Sequence, residues 1–215
     1  MIFKVYIYLR EGPMPKISYS EEERAQIRSS LLATALELMS KQGVRHTTVE
    51  QVYKKVGISR TFFYTFFSTK EELVLEALYF QHPHILALAQ KLASDPALSW
   101  REAVTEFLAL CCRDGKHGIL VLAIEDQQFI FCRLSKDSYQ VFRQKQLRLF
   151  GSILECFGIK ASPRAVNVFI NLSLAAIIMR RAIPDTLPLF VPEAADDAVN
   201  FQINAIVSYL DSLRI

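Results

Sequence analysis

Cysteine, histidine and paired carboxylates are the usual raw material of catalytic and metal sites, and in this 215-residue sequence none is spaced for that work. Cys111, Cys112, Cys132 and Cys156 lack a zinc-like CxxC spacing, and the adjacent pair suits a disulfide framework poorly. They read as reduced, mostly core residues. His82 and His84 stand two apart, which on a helix turns them to different faces, so no metal or other cofactor is expected. No nucleophile elbow, phosphate-binding glycine loop or convincing carboxylate pair on adjacent helical turns appears, which argues against an enzyme.

A different chemistry is written between Arg24 and Lys70. Arg24, Arg28, Lys41, Arg45, Lys54, Lys55, Arg60 and Lys70 are set against only Glu37 and Glu50, and acidic clusters at 21–23 and at Glu71, Glu72 and Glu76 bracket the stretch. Such local positive charge attracts a phosphate backbone through counterion release, although a solvated helix face has the same composition. Within it, Ile58, Phe63 and Phe67 sit at positions that bury one side of a short helix, leaving Arg60, Thr61 and Thr65 outward. Arg60 has the paired donors that read guanine, and Thr61 or Thr65 can meet a thymine methyl or a base edge. The net charge of +3 is too small for a surface that coats nucleic acid everywhere, so the contact is local.

The elements that must hold these residues are all helices. Apolar residues make up 51% of the chain and only seven glycines and eight prolines interrupt it, which predicts a folded, helix-rich protein. Capping boxes recur at Ser20/Glu23, Thr47/Glu50, Ser68/Glu71 and Ser99/Glu102, each where an apolar period begins. A first helix runs from Glu21 to Gln42 and stops at Gly43. A second starts at Thr48 and is cut at Gly57; the turn Gly57-Ile58-Ser59 leads into a third, Arg60 to about Phe67, at a steep crossing. A fourth is capped by Ser68 and ends near Phe80. Further helices are expected over Pro83–Ala93, Trp100–Arg113, Gly118–Leu134, Lys136–Phe157, from the Ser162-Pro163 start to before Pro184, and Glu193–Leu213. The run GILVLAIE within them would also suit a buried strand. From Val166 to Met179 the polar side chains are Asn167, Asn171 and Ser173 alone. Fourteen residues do not span a bilayer, so no membrane segment is expected. The opening MIFKVYIYLREG lacks the features of a secretory signal, and Met14 is a second plausible start.

The segment TTVEQVYKKVGISRTFFYTFFSTKEEL, Thr47 to Leu73, resembles the DNA-binding region of the TetR family of regulators. Carried are the Thr-Thr-Val entry, the Gly57-Ile58-Ser59 turn, Tyr64 and Phe67, and the Lys70-Glu71-Glu72-Leu73 opening of the fourth helix. The resemblance covers about Glu21 to Phe80. It implies an all-α fold: an N-terminal extension (1–17) expected to be disordered, a three-helix helix-turn-helix domain (18–67), a connecting helix (68–80) and a larger helical regulatory and dimerisation domain (81–215). By the same resemblance, Thr48, Tyr64 and Lys70 fall where the family contacts phosphates; Thr48 and Lys70 also sit in first helical turns, where backbone N–H groups favour anions. Three positions depart from the pattern. Tyr53 stands where alanine is common, Phe66 where a polar residue is common, and Phe62 where a small polar residue is usual. The two phenylalanines either make the reading surface more apolar or add to the core.

The family resemblance also implies a cytoplasmic homodimer on double-stranded operator DNA, since one chain presents one recognition helix. Phe169, Ile170, Ile177 and Ile178, with Phe201, Ala205, Ile206, Tyr209 and Leu210, are the candidate interface, or else simply close the core. A small-molecule effector is implied, probing a pocket for which Trp100, Phe107, Cys111, Phe129, Phe131 and Phe142 are candidate lining residues. Glu125 and Asp126 interrupt the most apolar stretch, where a buried carboxylate could hold a cationic ligand, or face the surface or an ion-pair partner. The function that follows is a transcriptional regulator, typically a repressor released by its ligand. The alternative is an interaction protein of the same fold that answers to a protein partner, with DNA binding weakened or lost.

Overall fold

The computed structural model describes residues 19–112, 119–182 and 191–214. The expected N-terminal extension, the second start at Met14, and the residues Arg113, Gly118 and Pro184 used as helix limits lie outside the described residues. Among those described, the elements are α-helical: α1 (Glu21–His46), α2 (Val49–Val56), α3 (Arg60–Phe63), α4 (Lys70–Phe80), α5 (His82–Ala93), α6 (Trp100–Cys112), α7 (Ile124–Phe131), α8 (Lys136–Cys156), α9 (Pro163–Ala182) and α10 (Ala195–Asp211), the last preceded by a 3₁₀ turn, Pro192–Ala194.

The helix starts follow from side-chain capping. Ser20 Oγ accepts from the Glu23 N–H at 3.2 Å while Glu23 Oε2 accepts from the Ser20 N–H at 3.0 Å, and Ser99 and Glu102 form the same reciprocal pair. The other two caps sit one residue later than their sequence patterns suggest. Thr48 caps α2 with Gln51 as its partner, because Thr47 is buried and donates its hydroxyl proton to the Gly43 carbonyl at 2.8 Å. Thr69 caps α4, and Glu72 reaches back to the Ser68 N–H.

Two helices differ from expectation for local reasons. Residues 119–123 are not helical, and α7 starts only at Ile124. The Gln81 amide acts there as a substitute strand: it donates to the Leu120 carbonyl at 2.8 Å and accepts from the Leu120 N–H at 2.7 Å. Gln127 adds a bond to the Leu122 carbonyl. These side chains satisfy a buried backbone that a helix would otherwise satisfy internally. After Phe63, α3 tightens into i→i+3 bonds, Thr65 N–H to Phe62 and Phe66 N–H to Phe63. The Thr65 hydroxyl also bonds the Phe62 carbonyl at 2.7 Å, the kind of local competition that shortens helices.

Two apolar cores organise the chain. The first gathers Leu31, Leu32, Ala35 and Met39 of α1 with Val52, Phe63, Phe67 and the inner face of α4. It also takes in Leu120, Leu122 and Ile130, so α7 and the segment before it are packed into the head. The second core is built from α5, α6, α8, α9 and α10 around Phe107, Leu154, Phe169, Ile206 and Leu210. Cys111 and Cys112 are buried, Cys156 is half-buried and Cys132 is exposed; all four are free thiols.

Candidate nucleic-acid interface and its link to the body

Gly57 and Ser59 set the angle of α3. Gly57 adopts a left-handed conformation (φ 80°, ψ 27°), which costs other residues more than glycine. Its N–H and that of Ile58 both reach the Tyr53 carbonyl. Ser59 then caps α3 by accepting from the Phe62 N–H at 3.2 Å. On the inner side Phe63 and Phe67 are fully buried, 5.7 Å apart between ring centroids, and Ile58 packs against the same core.

The outer side presents the predicted row. Arg60, Thr61, Tyr64 and Thr65 are all exposed, with the Arg60 guanidinium 5.9 Å from the centroid of the Tyr64 ring. Tyr64 stays 44% exposed while its ring edge meets Phe63. Phe62 and Phe66 are half-buried and belong to a second aromatic layer: Tyr19 stacks on Phe62 at 4.5 Å, Phe66 meets Phe62 edge-on at 5.1 Å, and the Arg24 guanidinium lies over both. Tyr53 packs against this head core and contacts Phe63. The unusual aromatics thus tie the start of α1 to α3.

Thr48 and Lys70 have structural partners of their own. The Thr48 hydroxyl is committed to its cap. Lys70 is half-buried and donates from Nζ to the Val44 carbonyl at 2.7 Å, and burial pulls it below the usual lysine value. Among the other cations, Lys41 and Lys55 share Glu37, Lys54 pairs with Glu50 and Arg28 with Glu76. The Lys41 and Lys55 bonds hold the Glu37 carboxyl down to about 2. These pairs are solvent-exposed and add little stability. Arg24, Arg45 and Arg60 have no carboxylate within ion-pair reach among the described residues, so they carry the net positive field of the head.

The head is joined to the body by a contact that the sequence did not announce. α1 is broken at Gly43 (φ 77°, ψ 165°), after which Val44–His46 makes one more turn. The Asp126 carboxylate, on α7, accepts from the Val44 N–H at 2.8 Å and the Arg45 N–H at 3.1 Å. Asp126 is 8% exposed. A Cβ on residue 43 would stand 3.3 Å from its Oδ2. Asp126 therefore does not face a ligand cavity: it caps the broken helix from outside. Lys70 closes the other end of the same turn through the Val44 carbonyl, and its ring neighbour Phe129 lies 5.4 Å from Nζ.

A cavity of about 550 Å³ lies in the body, walled by α4 to α9 and by residues 119–122. Of the candidate pocket residues, Phe107, Cys111, Phe131 and Phe142 line it. Trp100, Glu125 and Phe129 do not. Trp100 donates to the Phe157 carbonyl and lies under Arg214; Glu125 is exposed; Phe129 is covered by Arg133 at 3.8 Å on the head side. Helix α7 thus contributes Gln127 and Phe131 to the cavity and Asp126 to the head. His82 also lines the cavity; burial, and then the charge of Lys145, lower it from its ordinary value.

The candidate dimer residues divide. Phe169, Ile177, Ile206 and Leu210 are buried within the chain's own core, whereas Phe201 (74% exposed) and Ala205 face outward. For those four buried residues the alternative holds: they close the chain's own core. On α9 the outward apolar positions are Leu172 and Ala175. Among the described residues no helix is long and apolar enough to cross a membrane, and no group of three or more His, Cys, Asp or Glu is placed to hold a metal.

Comparison with known proteins agrees with this geometry. Residues 31–77 match the family described as bacterial regulatory proteins, tetR family. No curated protein matches the chain by sequence. Among solved structures, a TetR-family transcriptional regulator from Cytophaga hutchinsonii is 10% identical, with 92% of this chain and 98% of that one covered and a TM-score of 0.62. A TetR transcriptional regulator from Legionella pneumophila is 18% identical, covering 88% and 98%, with a TM-score of 0.55. RolR, solved with the ligand resorcinol, is 17% identical, covering 88% and 96%, with a TM-score of 0.50. The head is thus similar in sequence to the tetR family over residues 31–77, and the likeness in fold to TetR-type regulators runs over most of the chain.

Proposed function

We propose that this chain is a dimeric, sequence-specific DNA-binding repressor that acts in the cytoplasm and is released from its operator by a small molecule, working by binding rather than catalysis. The observation that carries the reading is the two-sided α3: Phe63 and Phe67 buried beneath, Arg60, Thr61, Tyr64 and Thr65 exposed above. Arg60, Thr61 and Thr65 meet base edges in the major groove, and Tyr64, Thr48 and Lys70 lie along the phosphates. For Thr48 and Lys70, whose side chains are engaged internally, the contribution is the N–H groups and charge of the first turns of α2 and α4.

The test is an electrophoretic shift with DNA flanking the chain's own gene, titrated with salt. A salt-sensitive shift that unrelated DNA does not compete away is expected; its absence would favour a protein-binding role instead. Arg60→Ala should weaken that complex by roughly 1–3 kcal/mol and relax preference at one base position, read by binding to a panel of singly substituted operators. Unchanged preference would mean that Arg60 does not read bases.

Two-fold operators require two heads, and the outward apolar residues of α9 and α10 supply a surface for a second copy. Phe201→Glu places a charge on that surface. Sedimentation should then show monomers at concentrations where the parent chain is dimeric, and operator affinity should fall with the loss of paired binding. A dimer unaffected by Phe201→Glu would put the interface elsewhere.

The cavity is the effector site in this reading. Its wall includes residues 119–122 and α7, and α7 also holds the broken end of α1 through Asp126. An occupant that fits one position of α7 better than another shifts the population of head orientations, and so the spacing of the two recognition helices.

A further inference from the structure

We infer that the effector is a lipophilic ring compound that carries a hydroxyl or carbonyl oxygen and no positive charge, with the Ser173 hydroxyl as its polar anchor. This inference rests on the effector reading above and adds to it the chemical class.

The volume, about 550 Å³, suits a molecule of two or three rings, within the usual range for small-molecule sites. Phe107, Phe131, Phe142 and Phe150 give it aromatic walls and Leu108 and Ile177 aliphatic ones. Charge decides the rest. Among the described lining residues there is no carboxylate: Asp126 is bonded to the backbone of α1, and Glu125 is in solvent. The charged group that does line the cavity is Arg143; Lys145, one position from the lining residue Gln146, is itself paired with Glu76 at 3.9 Å. His82, half-buried, is shifted below its ordinary value by burial and then by the charge of Lys145, and an imidazole supplies no negative charge in any case. A cation entering here would lose its hydration with no counter-ion to replace it. Aromatic faces return only part of that loss.

The polar anchor is found by elimination among the buried lining groups. Gln81 and Gln127 spend their amides on the backbone of Leu120 and Leu122. Ser173, on α9, is 2% exposed and its Oγ has no hydrogen-bond partner among the described residues. A buried hydroxyl left unpaired is costly, and a ligand oxygen within reach removes the cost. An apolar cavity with one unsatisfied hydroxyl selects for a ring system bearing one matching oxygen.

Three probes of nearly one shape test this: naphthalene, 2-naphthol and the 2-naphthylmethylammonium ion, titrated by calorimetry into the full-length chain and into Ser173→Ala. We expect 2-naphthol to bind at least about tenfold more tightly than the ammonium ion, and Ser173→Ala to weaken 2-naphthol about tenfold while leaving naphthalene unchanged. Naphthalene binding reports that the variant's cavity is intact. An ammonium ion that binds as well as 2-naphthol, or a Ser173→Ala change that weakens both neutral probes alike, would overturn the inference. Failure of all three to bind would overturn the effector site itself along with it. Tight 2-naphthol binding that never alters a DNA complex would leave the ligand class standing and sink the regulatory reading.

Discussion

Asp126→Ala is expected to uncouple the head from the body. The carboxylate is buried and accepts from two backbone N–H groups that lie more than 80 residues away in sequence. Alanine leaves both donors without a partner, in a position that a helix break has already deprived of intrahelical acceptors. Losing charge-assisted bonds and stranding two donors costs about 2–4 kcal/mol. Because α7 also walls the cavity of the body through Gln127 and Phe131, the cost falls where the head meets the body. Thermal unfolding should separate into a lower transition for the head and a higher one for the body, and exchange protection at the Val44 and Arg45 amides should be lost first. Operator affinity should fall as well, since the heads are no longer held at a fixed spacing. Asp126→Asn keeps one acceptor and should fall between the two. Gly43→Ala reaches the same seam from the other side, with an unfavourable backbone conformation and a methyl 3.3 Å from the Asp126 oxygen. A single, unshifted transition in Asp126→Ala would mean the contact bears no weight.

Phe63→Ala should abolish operator binding through the fold of the head. Phe63 is fully buried and touches the rings of Tyr53, Tyr64 and Phe67. Truncating such a residue costs about 3–5 kcal/mol, through lost transfer energy and the cavity that remains. The head is small, so a loss of that size takes most of its stability. The body core shares none of these contacts. Hydrogen exchange should therefore show α1 to α4 opened while α8 and α9 keep their protection, and no DNA shift should remain. Phe62→Ala is the contrast. Its ring is half-buried, between Tyr19 and Phe66, and its loss should cost roughly a third as much, with binding weakened rather than lost.

How much of this was legible beforehand depended on whether the cause was local. The Gly57 turn, the Ser59 start and the buried positions Phe63 and Phe67 are short-range features, so periodicity and capping chemistry locate them. The same holds for the Ser20 and Ser99 caps. The shift of two caps by one residue was not visible, because it follows from the burial of Thr47 and its bond to Gly43. Residues 119–123 read as a helix or a strand and are neither, since Gln81, almost forty residues earlier, supplies their hydrogen bonds. Asp126 could be noticed as an acid in an apolar stretch, but its partner is backbone, which has no sequence signature. Phe62 and Phe66 looked like possible reading residues until Tyr19 and Arg24 were seen to lie against them. For the body, apolar periodicity gave the helices but not which of their apolar faces points inward, so Phe169, Ile177, Ile206 and Leu210, candidates for an interface, lie in the chain's own core.

Whether α3 of a paired head reads a DNA sequence is decided by selecting bound sites from random double-stranded DNA with the full-length chain. Enrichment is expected of a two-fold symmetric site whose half-sites lie about one helical turn, or a multiple of it, apart, with the enrichment at one symmetric pair of positions lost in Arg60→Ala. A bound pool no different in sequence from the input would contradict it.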